Sequence, residues 1–422
     1  MIRSSFLRLA RAGAPPTVEA TGYWTGARPV PAYGGASARE RLRAWSELLR
    51  VSALLSVPGD ALAGAAAAGV RPGRGTAWAV GSSLCLYEAG MALNDWADRH
   101  EDAAERPHRP VPSGRVSPGA ALGAAGVLTA AGLALAARAG RPPLAVATVL
   151  AATVWAYDLR LKHTAAGPAA MAAARGLDLL LGATATVATA RREASGAPAA
   201  GGTGRGSRRT ASPSSAVPPP TVPSSAVPPP TVPSSAVPSS AVPARAAFPF
   251  AALPPAAVLA AHTYAVTAVS RHEVRGGSTA APLGAFAAAA VLGALTASSR
   301  RDPYRSTAPP RPSPYRSTAS SRPGPHRPGA RGKPPAAPGR STAERVTPVL
   351  AAVYFRTAAR PLLDAALNPS PLLTRQAVGG GIRAMVPLQA VLMSRSGATA
   401  GGLALLGLGP LARRLARKVS PT

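Results

Sequence analysis

Asn94, Asp98 and Asp102 recur every four residues, with Asp95 set between them, in the stretch Asn94-Asp95-Trp96-Ala97-Asp98-Arg99-His100-Glu101-Asp102. On one continuous helix these four side chains share a face. They close an apolar run, Trp78 to Leu93, that belongs to a segment long enough to cross a membrane. Two carboxylates ~4 Å apart at an effective dielectric of about 20 repel by roughly 4 kcal/mol. Such a cluster at the end of an apolar helix calls for a cation to neutralise it. Hard oxygen donors suit Mg²⁺, which takes one or two carboxylates and shares the rest of its shell with phosphates and water. Asn94, Asp95, Asp98 and Asp102 are therefore the candidate metal ligands, with Asp95 and Asp98 the candidate catalytic acids.

Directly after the acids comes a basic, proline-stiffened stretch, Glu105-Arg106-Pro107-His108-Arg109-Pro110-Val111-Pro112-Ser113-Gly114-Arg115. Arginine matches phosphate oxygens in a planar fork. Acids for a metal and arginines for an anion on adjacent turns form a clamp for a diphosphate. Arg106 and Arg109 are the candidate anion binders there.

This run resembles the first aspartate-rich motif of the UbiA superfamily, N-D-x-x-D-x-x-x-D followed by R-P-x-P-S-G. The resemblance implies an all-α integral membrane fold with about nine transmembrane helices around a central cavity. It implies Mg²⁺ as cofactor, a prenyl diphosphate as one substrate, and a lipophilic, often aromatic, acceptor that takes the prenyl group. Tyr157-Asp158-Leu159-Arg160-Leu161-Lys162-His163 is similar to the family's tyrosine-to-lysine stretch facing the diphosphate, which nominates Tyr157 and Lys162. The family's second motif carries paired aspartates. Here the chain has Ser270-Arg271-His272-Glu273 before Gly276-Gly277, so Glu273 alone stands in for a second-motif acid and Arg271 joins the anion binders. The pattern Arg271-x-Glu273-x-x-Gly276-Gly277 looks like that of an EboC-like branch. Two other outcomes fit the same scaffold: intramembrane terpene cyclisation, and a non-catalytic isoprenoid-diphosphate-binding protein.

Glu88 lies seven residues before Asp95, on nearly the same helical face. An acid inside an apolar helix is costly and usually faces a cavity. It is a candidate for acceptor binding or proton acceptance, or a structural partner of Arg175. Arg175 and Asp178, three residues apart, are also spaced to pair with each other. His262 by itself reads as a satisfied core residue rather than a ligand.

The 422 residues carry 47 Lys and Arg against 17 Asp and Glu, a formal net charge of +30. The basic residues are spread between apolar runs and through low-complexity segments, without the interleaved aromatics that stack bases, which argues against nucleic acid. A single cysteine, Cys85, excludes an internal disulfide and a cysteine-rich metal site.

Apolar runs near 50–70, 76–97, 118–139, 142–159, 166–190, 248–270, 279–298, 346–366 and 376–416 predict the membrane helices. The last run holds one spanning segment plus an amphipathic one, or two spanning segments broken near Ser396-Gly397. Residues 1–41 read as a cytoplasmic tail rather than a signal peptide. Helices 1–5 with the first acidic motif occupy 42–190, helices 6 and 7 occupy 248–299, and the C-terminal helices 346–422. Between them, 191–247 carries a Pro-Ser-Ser-Ala-Val-Pro-Pro-Pro-Thr-Val repeat and 300–345 repeats Pro-Tyr-Arg-Ser-Thr-Ala. Proline at this density buries too little apolar surface to offset ordering entropy, so both are expected to be disordered insertions. Arg39, Arg41, Arg43 and Arg50, then Arg99 to Arg115, then Arg160 and Lys162, then Arg271 and Arg275 alternate with the helices. The positive-inside rule puts these segments on the cytoplasmic side of a bacterial plasma membrane, and the candidate site with them.

Overall fold

Alanine- and leucine-rich runs punctuated by proline and glycine form a helical bundle. A computed structural model describes residues 37–50, 57–196, 249–273, 276–298 and 341–407, and among these there is no strand. The helices are α1 (Ala38–Leu48), α2 (Pro58–Ala67), α3 (Arg74–Ala97), α4 (Arg99–Glu105), α5 (Pro118–Ala139), α6 (Arg141–Ala156), α7 (Gly167–Gly196), α8 (Leu253–Ser270), α9 (Ala280–Ala297), α10 (Thr342–Leu367) and α11 (Pro371–Arg395). A further helical segment covers 399–407. Six of these helices are long and apolar enough to cross a membrane: α5, α6 with its extension to Leu161, α7, α8, α9 and α11. α3 and α10, of 24 and 26 residues, are as long but dilute their apolar runs with Ser, Glu and Arg.

The starts and stops follow local chemistry. Ser117 accepts from the Ala120 N–H at 3.2 Å and Pro118 opens α5, where a missing N–H costs nothing. α5 and α6 are joined by Gly140 alone, at φ 135°. A Cβ there would be strained and would lie 2.0 Å from Arg192 Nη2. α2 meets α7 through small residues: a Cβ on Gly64 would come 1.9 Å from the Leu179 carbonyl oxygen, and one on Gly182 would come 2.1 Å from that of Ala61. Close backbone approach of this kind is a membrane-helix device.

α3 packs on α5 and α7, and α7 on α2, α6 and α8. α10 lies between α9 and α11, and α11 closes back on α2 and α8. At the centre, Arg175 donates to Asp60 at 2.6 Å, Gln389 Nε2 donates to the other Asp60 oxygen at 2.6 Å, and Ser83 donates to Asp178 at 2.7 Å. This buried polar set ties α2, α3, α7 and α11 together. It settles the partner of Arg175, which is Asp60 rather than Glu88 or Asp178. His262 is held on both sides: its Nε2–H donates to the Gly381 carbonyl at 3.0 Å, and the Tyr354 hydroxyl donates to Nδ1 at 3.1 Å. It is a core residue, as read from the sequence.

Boundaries differ in places. α1 begins at Ala38, inside the expected tail, because Ser37 and Glu40 form a reciprocal capping box. Its 11 residues span about 16 Å, too short to cross a bilayer. α2 opens at Pro58, and the expected beginning of that run at 51–56 lies outside the described residues. α7 continues to Gly196, and α10 opens at Thr342 through a second capping box, Ser341 with Glu344. The remainder of both proline-rich insertions lies outside the described residues. α11 stops at Arg395, Gly397 takes φ 86°, and helix resumes at 399, so the chain breaks at Ser396-Gly397.

Candidate active site

The acidic motif is not one helix. α3 ends at Ala97, and Asp98, at φ −85° and ψ 2°, joins it to α4. The i→i+4 bonding nevertheless runs through the joint: the Asp98 N–H donates to the Asn94 carbonyl at 2.9 Å and the Asp102 N–H to the Asp98 carbonyl at 2.8 Å. Asp95 and Asp102 are nonetheless both buried, at 4% and 2% exposure, and one arginine spans them.

That arginine is placed by the loop that follows α4. Val111 and Val116 bury their side chains against Leu48 of α1 and Leu93 of α3. The Val116 N–H donates to the Pro110 carbonyl at 2.9 Å and Gly114, at φ 76°, makes the turn between. So folded, the loop aims Arg109 inward. Its Nη1 lies 2.7 Å from Asp102 Oδ2 and 3.5 Å from Asp95 Oδ1. Arg106 reaches Asp102 Oδ1 at 3.5 Å from the next turn. Arg115 clamps Glu47 of α1 at 2.7 and 3.2 Å. The anchored end of α1 then delivers Arg50, at φ 48°, to Asp95 at 3.5 Å.

Asp98 is held from the other side. Asn94 Nδ2 donates to its Oδ2 at 2.8 Å, and the Lys162 ammonium donates to its Oδ1. Lys162 follows a π-helical turn, Tyr157–Leu161, and its own N–H reaches back five residues to the Tyr157 carbonyl at 3.0 Å. Such bulges recur at functional sites because they re-aim side chains. Here the bulge buries Asp158 toward Gly90 of α3 and turns Lys162 inward, with its side chain 11% exposed, instead of letting it snorkel to the interface. Tyr157 is half-buried and within electrostatic range of Asp98 and Asp158.

The second expected motif sits beside this cluster. Glu273, in the turn after α8, is half-buried, within electrostatic range of Arg375 of α11 and of Arg106. Burial pushes its carboxyl above the ordinary range, against the opposing pull of those two arginines. Arg271 is exposed and donates to the Thr164 carbonyl at 2.7 Å, which ties the end of α8 to the loop after Lys162 rather than to the acids. Glu88 is buried in α3, and neither of its carboxylate oxygens has a hydrogen-bond partner. The loops that carry Arg50, Arg109, Lys162 and Arg271 thus meet at one end of the bundle.

Among the described residues, one grouping could hold a metal on its present geometry: Asp98, Glu101 and His163, whose ligand atoms lie within 4.8 Å of one another. Carboxylates fit Mg²⁺, whereas an exposed imidazole suits softer ions. Of this group, Asp98 and Glu101 are the oxygen donors that suit Mg²⁺. Arg50, Glu101, Asp158 and His163 were not singled out for the site from the sequence. Glu101 follows Asp98 by three, and Asp158 precedes Lys162 by four, both helical neighbour spacings. Nothing local marks the contact of Arg50 with Asp95.

Together the bundle and this acid–arginine cluster define an all-helical, multi-pass membrane protein with a polar site at one end. Residues 55–203 match the UbiA prenyltransferase family. Digeranylgeranylglyceryl phosphate synthase of Methanopyrus kandleri is 38% identical over 128 residues, which cover 29% of this chain and 45% of that protein. The bacteriochlorophyll synthase 33 kDa chain of Rhodobacter capsulatus is 36% identical over 105 residues, 24% of this chain and 34% of that one. The chain thus spans less than half the length of these curated relatives. A solved UbiA homologue from Archaeoglobus fulgidus, bound to GPP and Mg²⁺, superimposes with a TM-score of 0.45 at 16% identity, covering 83% of this chain and 99% of that one.

Proposed function

We propose that this chain transfers a prenyl group from a prenyl diphosphate to a lipophilic acceptor within the membrane, with Mg²⁺ as cofactor. The observation that carries the reading is the pairing of Asp95, Asp98 and Asp102 with Arg50, Arg106, Arg109 and Lys162 at one end of the bundle, all but Arg50 inside the segment that matches the family. The relatives named as synthases of prenylated lipids and pigments support the same class of reaction.

Asn94, Asp95 and Asp98, with Glu101, would hold the metal, and Asp102 would position Arg109 beside it. Mg²⁺ bound there supplies charge that stabilises the departing diphosphate. Arg109 and Lys162 sit where their donors can pass from carboxylate to phosphate oxygen, and charge-assisted donors of this kind strengthen as negative charge develops on the leaving group. Arg106 and Arg50 flank them. Tyr157 borders the same space. Water would quench an allylic cation, so the reaction needs the apolar bundle to exclude it. Glu273 adds a carboxylate from the second motif, and Arg271 holds the Thr164 loop that follows Lys162. The Arg271-x-Glu273-x-x-Gly276-Gly277 pattern supports placement in the EboC-like branch. The arginine alternation of the loops supports a bacterial plasma-membrane location with the site on the cytoplasmic side.

The test uses the purified full chain with geranyl diphosphate, Mg²⁺ and a membrane-lipid extract, and follows diphosphate release and prenylated products by mass spectrometry. Transfer is expected, and EDTA should stop it. A cyclic hydrocarbon formed without acceptor would reassign the chain to terpene cyclisation. Saturable binding without diphosphate release would make it an isoprenoid-diphosphate-binding protein.

A further inference from the structure

The outer side of α10 carries charge where a membrane helix is expected to be apolar. Val349, Val353, Arg356, Arg360, Leu363 and Leu367 fall within about 80° of one another at roughly 100° per residue, and all six are exposed. Tyr354, Ala358, Leu362 and Ala365 lie opposite, buried in the core that α10 shares with α8, α9 and α11. The Tyr354 hydroxyl reaches His262 of α8, so the arginine stripe faces away from the bundle. Among the described residues neither Arg356 nor Arg360 has an ion pair, and Asp364, one turn beyond Arg360, is exposed without one.

Depth makes these charges costly. α10 packs between α9 and α11, both long and apolar enough to cross a membrane, and shares their depth. Arg356 lies about 21 Å from the Thr342 end of α10 and about 16 Å from the Leu367 end, at ~1.5 Å per residue. In a hydrocarbon core of about 30 Å that is close to the middle. Long side chains near helix ends snorkel to the headgroups, and one at the middle does not reach them. A guanidinium at that depth is expensive until it is paired.

We infer that the outer face of α10 docks a transmembrane helix of another protein that carries two carboxylates at mid-depth, one turn apart, to meet Arg356 and Arg360. Guanidinium and carboxylate match in a planar fork, and the valines and leucines of the stripe pack against the apolar remainder of that helix. A second copy of this chain fits less well. Symmetric pairing of two copies in one membrane brings equal depths together and sets each arginine against its own counterpart. Asp364, at the edge of the stripe, offers only one carboxylate for each two arginines.

The experiment places the full-length chain, labelled with a donor fluorophore, in phosphatidylcholine vesicles. The probe is an acceptor-labelled synthetic helix of about 20 leucines and alanines with two glutamates four apart at its centre, and its control has glutamine at both positions. Energy transfer should show wild type binding the glutamate helix at least about 10-fold more tightly than the glutamine helix. Arg356→Leu with Arg360→Leu should abolish that preference, and Arg356→Lys with Arg360→Lys should keep part of it. Equal binding of the two helices by wild type would overturn the inference, as would an undiminished preference in the leucine variant. Self-association of donor- and acceptor-labelled copies that disappears in the leucine variant would make the occupant a second copy and refute the acidic helix. Loss of the preference when phosphatidylglycerol replaces half the lipid would assign the arginines to lipid phosphate and refute it too. Should the leucine variant fail to fold, the contrast between the two helices in wild type decides.

Discussion

Arg109→Ala removes the guanidinium that spans Asp95 and Asp102. The side chains of these acids are 5% and 3% exposed, and Arg109 itself is 22% exposed. After the change Asp95 keeps Arg50 and Asp102 keeps Arg106, each at 3.5 Å and each from a more exposed arginine. Breaking a fully buried pair costs roughly 3–5 kcal/mol, and the surviving arginines with their solvent access reduce this to about 2 kcal/mol. The variant should therefore melt below wild type in EDTA. The two acids are then short of positive charge, so a divalent ion replaces the lost guanidinium. Ligand at 100 times its Kd contributes about 2.7 kcal/mol, enough to offset the loss. Mg²⁺ should thus raise the Tm of Arg109→Ala more than that of wild type, read by thermal unfolding of detergent-solubilised protein with and without the ion. Turnover should stay low even so, by ~10²–10³, because a donor to the departing diphosphate is gone. An identical Mg²⁺ shift in both proteins, or wild-type turnover in the variant, would refute the exchange of carboxylate for phosphate at Arg109.

Asp95→Asn and Asp98→Asn should each abolish diphosphate release while the protein still inserts and elutes as a folded species; near-wild-type release in both would remove the acidic site from the reaction. Glu273→Gln should reduce turnover and shift the Mg²⁺ titration to higher concentration, and an unchanged titration curve would exclude Glu273 from the metal site. Because burial raises the Glu273 carboxyl, its contribution to stability is full below the unfolded carboxylate range and is lost as pH rises through the folded value. Unfolding curves at pH 5 and pH 8 should therefore show Glu273→Gln gaining on wild type at the higher pH; the opposite order would mean that Arg375 and Arg106 outweigh burial. Arg175→Met leaves Asp60 buried without its cation and should cost roughly 3–5 kcal/mol, seen as loss of detergent-stable protein. Adding Asp60→Asn to it should restore much of the yield, and a double variant no better than the single one would deny the pair its structural weight.

Elements fixed by local pattern were open to reading from the chain. The apolar runs mark the helices, the acid and arginine spacings mark the site, and Ser396-Gly397 marks a break, because each depends on residues within a few turns. What escaped depends on packing. Arg50 meets Asp95 only because Arg115 clamps α1 through Glu47, and Asp60 meets Arg175 and Gln389 only because glycines let α2 press against α7. The joint at Asp98 was hidden because spacing by four assumes an unbroken helix. Across it, Asp95 of α3 and Asp102 of α4 hold the same Arg109 guanidinium. Asp95, Asp98 and Asp102 are each already paired with an arginine or a lysine, which phosphate would claim on the proposed function. On the proposed function, a prenyl diphosphate arriving with Mg²⁺ would bring the anion and the cation for that exchange together.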